Sequence, residues 1–256
     1  MIASPDRRSL LDALIPEVRR AGAAILAVYA TDFAVRDKAD ASPVTVADER
    51  AEALLVDALA RLTPGIPVVA EEAVAGGGQP QTGDTFWLVD ALDGTREFIG
   101  RNGEFTVNVA LIEQRRPTLG VVLAPALGRL FAGHDAGGAF VEEAGARRSI
   151  ACRTPPAQGL TVVASRSHGD AAALGAFLAG RKVARLRNAG SSLKLCLVAA
   201  GEADLYPRMG TTMEWDTAAG DAVLRAAGGK LTTLAGDVLL YGKPGFENPH
   251  FIAAAG

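Results

Sequence analysis

Apolar residues near the start of the chain recur at the spacing of an α-helix, at Leu11, Leu14, Ile15, Val18, Ile25 and Tyr29. This periodicity predicts a long amphipathic N-terminal helix. Pro16 falls inside it and is expected to kink or restart the helix, because proline lacks a backbone N–H. The polar stretch from Asp37 to Pro43 is predicted to be a loop.

A second helix is predicted to follow this loop. Thr45-Val46-Ala47-Asp48 has the spacing of a capping box, which marks the start of a helix. Pro64-Gly65 is expected to end it. Its inward positions are Leu54, Leu55, Ala58, Leu59 and Leu62.

Short apolar runs predict strands through the rest of the first half. Two of them stop at acidic residues: Ile66–Ala70 runs into Glu71-Glu72, and Phe86–Val89 ends at Asp90. Four more are separated by short turns, at Phe105–Ile112, Leu119–Leu123, Arg129–Gly133 and Ala139–Val141.

Strand and helix patterns alternate in the second half. Strands are predicted at Leu160–Ala164, Val183–Leu186 and Ala203–Tyr206, and two short ones near the end. Helices are predicted at Asp170–Leu178, Ser191–Ala200 and Asp216–Ala227. The chain is therefore predicted to have a mixed α/β (α+β) fold, with an α+β half over residues 1–150 and an α/β half over residues 151–256.

Charge and composition exclude some functions. The 26 Lys and Arg residues nearly balance the 29 Asp and Glu residues, for a formal net charge of −3, so a nucleic-acid polymer is not an expected partner. No apolar run approaches the ~20 residues of a membrane-spanning helix. Cys152 and Cys196 form no CxxC pair and are expected to be free thiols. We therefore expect a cytoplasmic protein.

Acidic side chains lie where the predicted strands end. Asp90-Ala91-Leu92-Asp93-Gly94-Thr95 can aim two carboxylates and a carbonyl into one volume, and Gly94 permits a turn that a Cβ would resist. Glu71 ends another strand, and Asp216 is predicted to open a helix after Trp215. Carboxylates that share a pocket repel unless a cation lies among them, and a set of oxygen ligands favours Mg²⁺ over Zn²⁺. Taken singly, each residue is more often a turn or helix-cap residue.

Two segments resemble the signature motifs of the inositol monophosphatase superfamily of lithium-sensitive magnesium phosphatases: Asp90–Thr95 and Trp215–Gly220. Ser42–Asp48 and Glu71-Glu72 match in the expected order. Within this superfamily the chain is similar to the CysQ-type 3'(2'),5'-bisphosphate nucleotidases through Arg96–Ile99, Arg101–Asn108, Ser165–His168, Gly190–Lys194 and Ala203–Arg208.

The resemblance implies both the fold and the chemistry. The fold would be a layered αβαβα sandwich with the active site between the two halves. The substrate would be adenosine 3',5'-bisphosphate (PAP), a by-product of sulfate assimilation, which would lose its 3'-phosphate to leave AMP. About two or three Mg²⁺ ions would take part, and Li⁺ would inhibit.

The resemblance also implies the roles of single residues. The metal ligands, which would also adjoin the substrate, would be Glu71, Asp90, the Leu92 carbonyl, Asp93 and Asp216. Asp48 and Thr95 would orient and deprotonate the attacking water, and the scissile phosphate would lie against the backbone of Asp93, Gly94 and Thr95. The second phosphate would meet His168, Ser191, Lys194 and Arg208.

Without the resemblance, simpler interpretations apply to three of these residues. Ser191 would open a helix as its N-cap, Lys194 would be a solvated lysine one turn along, and His168 would be a loop histidine. Ala91 departs from the superfamily, which usually has proline there; the ligands are intact, so activity is expected to survive.

Other functions remain open at this point. An inositol monophosphatase, a fructose-1,6-bisphosphatase-type sugar phosphatase or a histidinol-phosphate phosphatase would share the chemistry, with relaxed specificity. A metabolite-binding regulatory protein is an alternative of another class, and it would tolerate Asp93→Asn in cells. The sequence also leaves open a monomer or a homodimer, and peripheral association with the inner membrane.

Overall fold

The computed structural model describes residues 6–37, 43–80, 82–166 and 170–256. Within these residues the α-helices are α1 (Arg7–Tyr29), α2 (Val46–Leu62), α3 (Glu71–Ala75), α4 (Thr95–Ile99), α5 (Ala171–Leu178), α6 (Leu193–Ala199) and α7 (Glu214–Ala226). Short 3-10 helices lie at Pro125–Leu127 and Pro244–Phe246.

One large sheet occupies the first half of the chain. Its seven strands, in spatial order, are β3 (Val68–Ala70), β4 (Thr85–Asp93), β5 (Thr106–Glu113), β6 (Arg116–Ala124), β7 (Arg129–His134), β8 (Gly138–Glu143) and β9 (Ala146–Ile150). Only β3 and β4 run parallel; the later neighbours are antiparallel.

The large sheet is covered on both faces. Alternate residues of β4 enter two different cores: Phe86 and Leu88 join one, and Trp87 and Val89 join the other. Helices α1 and α2 pack on one face and α7 packs on the other. Burial of both faces explains why β4 is a continuous apolar run rather than an alternating one.

The second half forms a five-stranded sheet whose spatial order is β11 (Val183–Ala189), β10 (Leu160–Ser165), β12 (Leu205–Arg208), β16 (Phe251–Ala255) and β14 (Gly229–Thr233). Helices α6 and α7 lie between the two sheets. Helix α5 lines a cavity together with Leu186 of β11. The predicted layered α/β sandwich is therefore confirmed.

Two small pairings complete the described strands. β1 (Val35–Asp37) pairs with β2 (Pro43–Thr45), and β13 (Thr212–Met213) pairs with β15 (Glu247–Asn248). The polar stretch predicted to be a loop thus begins and ends in strands, and residues 38–42 lie outside the described residues.

Several sequence predictions are confirmed. The N-terminal helix is present, but it runs through Pro16 as one element, so the expected restart at Pro16 was wrong. The capping box of α2 is formed, with Thr45 N donating to Asp48 Oδ2 at 2.9 Å and Ala47 N to Thr45 Oγ1 at 3.1 Å. Cys152 and Cys196 are free thiols.

Three predicted boundaries next to the site were wrong. Glu71 does not end a strand but is the first residue of α3. Helix α6 begins at Leu193 with Ser192 as its N-cap, so Ser191 precedes the helix. Helix α7 begins at Glu214, which puts Asp216 inside its first turn. Each of these boundaries depends on the backbone conformation of one or two residues, which leaves no periodic pattern in the sequence.

No described helix has the length and apolar character needed to cross a membrane.

Candidate active site

Three carboxylates meet at the edge of the large sheet that faces α7. Oxygen atoms of Glu71, Asp90 and Asp216 all lie within 4.8 Å of one another. The parallel pairing of β3 with β4 explains the meeting of two of them: Ala70 is opposite Val89, so the next residues along, Glu71 and Asp90, lie side by side. Asp216 joins them from the first turn of α7.

The end of β4 is irregular. Its pairing with β5 shifts register between Asp90 and Asp93. Asp90 is buried, and its Oδ1 accepts a hydrogen bond from Leu92 N at 3.0 Å. Gly94 follows with a φ of 90°, in the left-handed region that favours glycine, and α4 begins at the next residue. The turn at Gly94 therefore leads the chain from the end of β4 directly into α4.

Asp93 is bound to the second half of the protein. Its Oδ2 accepts Ser192 N at 2.7 Å and Asn108 Nδ2 at 3.2 Å. It lines the same cavity as Glu71 and Asp216, although the group of three close carboxylates among the described residues does not include it.

Hydrogen bonds from Met213 and Ser192 fix the position of Asp216. Its Oδ2 accepts Met213 N at 2.8 Å, and its carbonyl accepts the Ser192 hydroxyl at 2.5 Å. Burial, followed by the negative charges of Asp93 and Glu71, raises the pKa of Asp216 well above its usual value. Burial also raises the pKa of Asp93, against the attraction of Lys194.

This donor set fits a hard divalent cation. The close group consists of carboxylates alone, which are the ligands that Mg²⁺ prefers. Burial is the larger cause of the raised pKa of Asp216, and the charges of Asp93 and Glu71 add to it; a cation between the carboxylates would offset this repulsion.

A second pair of residues lies beside this group. Thr95 Oγ1 is 3.3 Å from Asp48 Oδ1 and 3.4 Å from the Leu92 carbonyl oxygen. Asp48 Oδ2 accepts Thr45 N and Thr45 Oγ1. The structure thus places Thr95 close to both Asp48 and the Leu92 carbonyl.

A cavity of about 390 Å³ opens over these groups. Its lining contains acidic residues of both halves together with the lysine and arginine expected to bind a second phosphate. These lining residues include Glu71, Asp93, Gly94, Thr95, Arg96, Ser165, Ser191, Lys194, Arg208 and Asp216.

Two of the three cationic side chains that line this cavity, Lys194 and Arg208, are buried. Lys194 is 5% exposed, and its Nζ donates to the carbonyls of Ser191 and Ala189 at 2.5 and 3.2 Å. Burial lowers the pKa of Lys194 to about 8, against the attraction of Asp93. Arg208 is 7% exposed and donates from Nη2 to Thr211 O at 2.8 Å. The interpretation of Lys194 as a solvated lysine was therefore wrong.

Ser191 adopts a strained backbone with a φ of 46°. Its hydroxyl oxygen is buried and has no hydrogen-bond partner among the described residues. His168, the remaining residue expected at the second phosphate, lies outside the described residues.

Sequence reasoning assigned no role to Asn108, Ser192 or Glu104, which link the two halves. Asn108 Nδ2 donates to Ser192 Oγ at 3.0 Å as well as to Asp93. Glu104 accepts Gly190 N at 2.9 Å and Arg166 Nε at 3.0 Å. In the sequence, these three residues stand out only because they lie in segments that carry the family resemblance. Contacts between residues so far apart in the chain leave no local pattern.

Sequence comparison relates the chain to known proteins over nearly its whole length. A sequence model of the inositol monophosphatase family matches residues 6–255. The chain is 47% identical over 247 residues to the 3'(2'),5'-bisphosphate nucleotidase CysQ of Escherichia coli (strain K12), covering 94% of this chain and 98% of that protein. It is 38% identical over 253 residues to the protein of the same name from Buchnera aphidicola, covering 97% and 94%.

Solved structures agree in fold. CysQ from Bacteroides thetaiotaomicron superimposes with a TM-score of 0.81 at 35% identity, covering 98% of each chain. An inositol monophosphatase from Anabaena (Nostoc) superimposes with a TM-score of 0.76 at 26% identity, covering 97% of this chain and 91% of that one.

Proposed function

The chain belongs to the inositol monophosphatase family, and we propose that it is a metal-dependent 3'(2'),5'-bisphosphate nucleotidase that hydrolyses PAP to AMP and phosphate. One observation carries this assignment: a single cavity is lined both by the carboxylates Glu71, Asp93 and Asp216 and by the buried cations Lys194 and Arg208. In a substrate with two phosphates, one phosphate could lie at the metal site formed by the carboxylates and the other could bind the two cations. The CysQ relatives, at 47% identity over 94% of the chain, support the same activity.

Mg²⁺ is the metal that the donor set favours. We propose that Glu71, Asp90, Asp93, Asp216 and the Leu92 carbonyl hold the ions. Bound Mg²⁺ would polarise the scissile phosphate and lower the pKa of a water molecule. Inhibition by Li⁺ is expected, since Li⁺ is also a hard cation that oxygen ligands accept.

The chain's own residues would move the proton of the attacking water. Because Thr95 Oγ1 donates toward Asp48 Oδ1, its lone pairs can accept a hydrogen bond from a water molecule. The proton would pass from water to Thr95 as the Thr95 proton passes to Asp48. The contacts of Asp48 with Thr45 hold its carboxylate in place for this role.

The backbone of Asp93, Gly94 and Thr95 would receive the scissile phosphate. The second phosphate would meet Lys194, Arg208, Ser191 and His168. The buried hydroxyl of Ser191, which has no hydrogen-bond partner among the described residues, suits this role because a phosphate oxygen could accept from it.

A further cavity of about 330 Å³ shares Ser165 and Arg208 with the first. Its walls include the apolar side chains of Leu174, Leu186 and Met209. We propose that the nucleoside extends toward this cavity, where an aromatic base could contact apolar walls while Arg208 binds the phosphate.

Metal removal tests the proposed chemistry. Phosphate release from PAP should stop in EDTA and return when Mg²⁺ is restored. Asp90→Asn should abolish it at any Mg²⁺ concentration, whereas Asp237→Asn, at an exposed carboxylate in the second half, should behave like the unsubstituted chain. Full activity in EDTA would overturn the proposal.

A further inference from the structure

Glu52 of α2 is a buried carboxylate, only 8% exposed, that contacts the start of α3. Its Oε2 accepts Glu72 N at 2.8 Å, and its Oε1 accepts Ala73 N at 2.9 Å. The N-cap residue of α3 is Ala70, which makes no side-chain cap hydrogen bond. Two of the backbone N–H groups that a helix leaves unpaired at its start are therefore satisfied by a side chain twenty residues earlier.

Helix α3 is short, and it packs against β3, β4 and α2, with Val74 partly buried against a core. It has five residues, fewer than a helix needs to be stable by itself, and none of them is buried. Its first residue is Glu71, whose carboxylate joins Asp90 and Asp216. Strand β3 before Glu71 and the Glu52 contacts just after it both hold the backbone that carries the Glu71 side chain.

Glu52 lies one helical turn after Asp48 on α2. One short segment of α2 therefore contacts both parts of the candidate site: Asp48 accepts Thr95 Oγ1, and Glu52 accepts the first N–H groups of α3. In both contacts a carboxylate of α2 accepts a hydrogen bond from a defined partner. The two contacts therefore relate the position of the start of α3, which carries Glu71, to that of the Asp48–Thr95 pair.

We propose that Glu52 is a positioning residue for the metal site, which holds Glu71 in the orientation that binds the cation. This inference rests on the proposed metal site, and it does not depend on the identity of the substrate. Residues that orient metal ligands through hydrogen bonds commonly contribute about 10- to 100-fold to metal affinity.

The test is Glu52→Gln, studied by isothermal titration of the substrate-free protein with Mg²⁺. The amide keeps the length of the side chain, but it has one accepting oxygen and presents N–H groups to the other backbone donor. We expect Mg²⁺ affinity to fall about 10- to 100-fold. Amide hydrogen exchange over residues 71–75 should become faster, because the helix loses a cap.

The matched control is Asp204→Asn. Asp204 is also buried, at 2% exposed, and its carboxylate also accepts a backbone N–H, from Thr161 at 2.6 Å, but it lies in the five-stranded sheet region. The Asp204→Asn variant should lower the free energy of unfolding without changing Mg²⁺ affinity or the rate of amide hydrogen exchange at residues 71–75.

The proposal is overturned if Glu52→Gln binds Mg²⁺ as the unsubstituted chain does, or if Asp204→Asn weakens binding equally. Should Glu52→Gln fail to fold, Glu52→Asp takes its place under the same two criteria, because the shortened carboxylate also loses reach to the α3 donors. Failure of the proposed function gives a different result. An unsubstituted chain that binds no Mg²⁺ overturns the metal site itself, whereas normal Mg²⁺ binding without PAP turnover overturns only the substrate assignment.

Discussion

Thr95 Oγ1 donates a hydrogen bond to Asp48 Oδ1 at 3.3 Å, joining the first residue of α4 to the first turn of α2. The other Asp48 oxygen accepts both Thr45 N and Thr45 Oγ1, at 2.9 and 2.7 Å. The same aspartate therefore caps its own helix and orients the threonine hydroxyl. A role in capping and a role in proton transfer use different oxygen atoms and do not compete.

Thr95→Val should lower kcat for PAP by about 10²- to 10⁴-fold, the usual contribution of a positioned acid–base group. KM should change little, because the scissile phosphate is expected to bind backbone atoms. Thr31→Val removes a hydroxyl that donates to Val28 O near the end of α1, and it serves as the control. A Thr95→Val enzyme with near-normal kcat would contradict the proposed role.

Lys194→Gln and Arg208→Gln should each reduce kcat/KM for PAP by roughly 10- to 150-fold, since a hydrogen bond to a charged group contributes about 1.5–3 kcal/mol. Inositol 1-phosphate lacks a second phosphate, so any turnover of it should fall much less. Lys230→Gln, at an exposed lysine, is the control. Equal losses of kcat/KM on both substrates would show that the two cations do not bind a second phosphate.

The kcat/KM for PAP should fall as pH rises through about 8. Burial lowers the pKa of Lys194 to about 8, so its charge is present below that pH and lost above it. Phosphate monoesters complete their second ionisation near pH 6 and do not titrate in this range. Steady-state rates at fixed free Mg²⁺ measure the profile, and Lys194→Gln should remove this inflection. An inflection that persists in the variant would assign it to another group.

Ala91→Pro should stabilise the protein by about 0.4–1 kcal/mol and leave activity intact. Proline restricts the unfolded chain, and bulges are positions where a strand tolerates it. Ala91 lies where the pairing of β4 with β5 shifts register, between Asp90 and Asp93. Chemical denaturation measures the change; a loss of stability would mean that the Ala91 backbone is not suited to proline.

Sequence patterns predicted most of the elements because long periodic runs dominate them. Helices α1 and α2 and strands β4 to β8 all have apolar faces that a period of 3.6 or a continuous apolar run reveals. Strand β9 was missed because Arg147 and Arg148 make it polar, and its residues before Ile150 are exposed. Helix α3 was missed because five residues are too few to show a period.

The candidate site was predicted only in part. Motif resemblance identified Glu71, Asp90 and Asp216, and their meeting in space is a product of the β3–β4 pairing and of α7. The burial of Lys194 and the hydrogen bond from Ser192 N to Asp93 depend on how the two halves pack. The sequence around these residues indicates neither the burial of Lys194 nor the hydrogen bond to Asp93.

The substrate is tested most directly by comparing kcat/KM for PAP, inositol 1-phosphate and fructose 1,6-bisphosphate at saturating Mg²⁺, each with and without Li⁺. The proposed function predicts a clear preference for PAP and inhibition by Li⁺. Comparable or faster turnover of inositol 1-phosphate would leave the metal site in place but contradict the nucleotidase assignment. Absence of phosphate release from all three would contradict an enzymatic role with these substrates and favour a metabolite-binding protein.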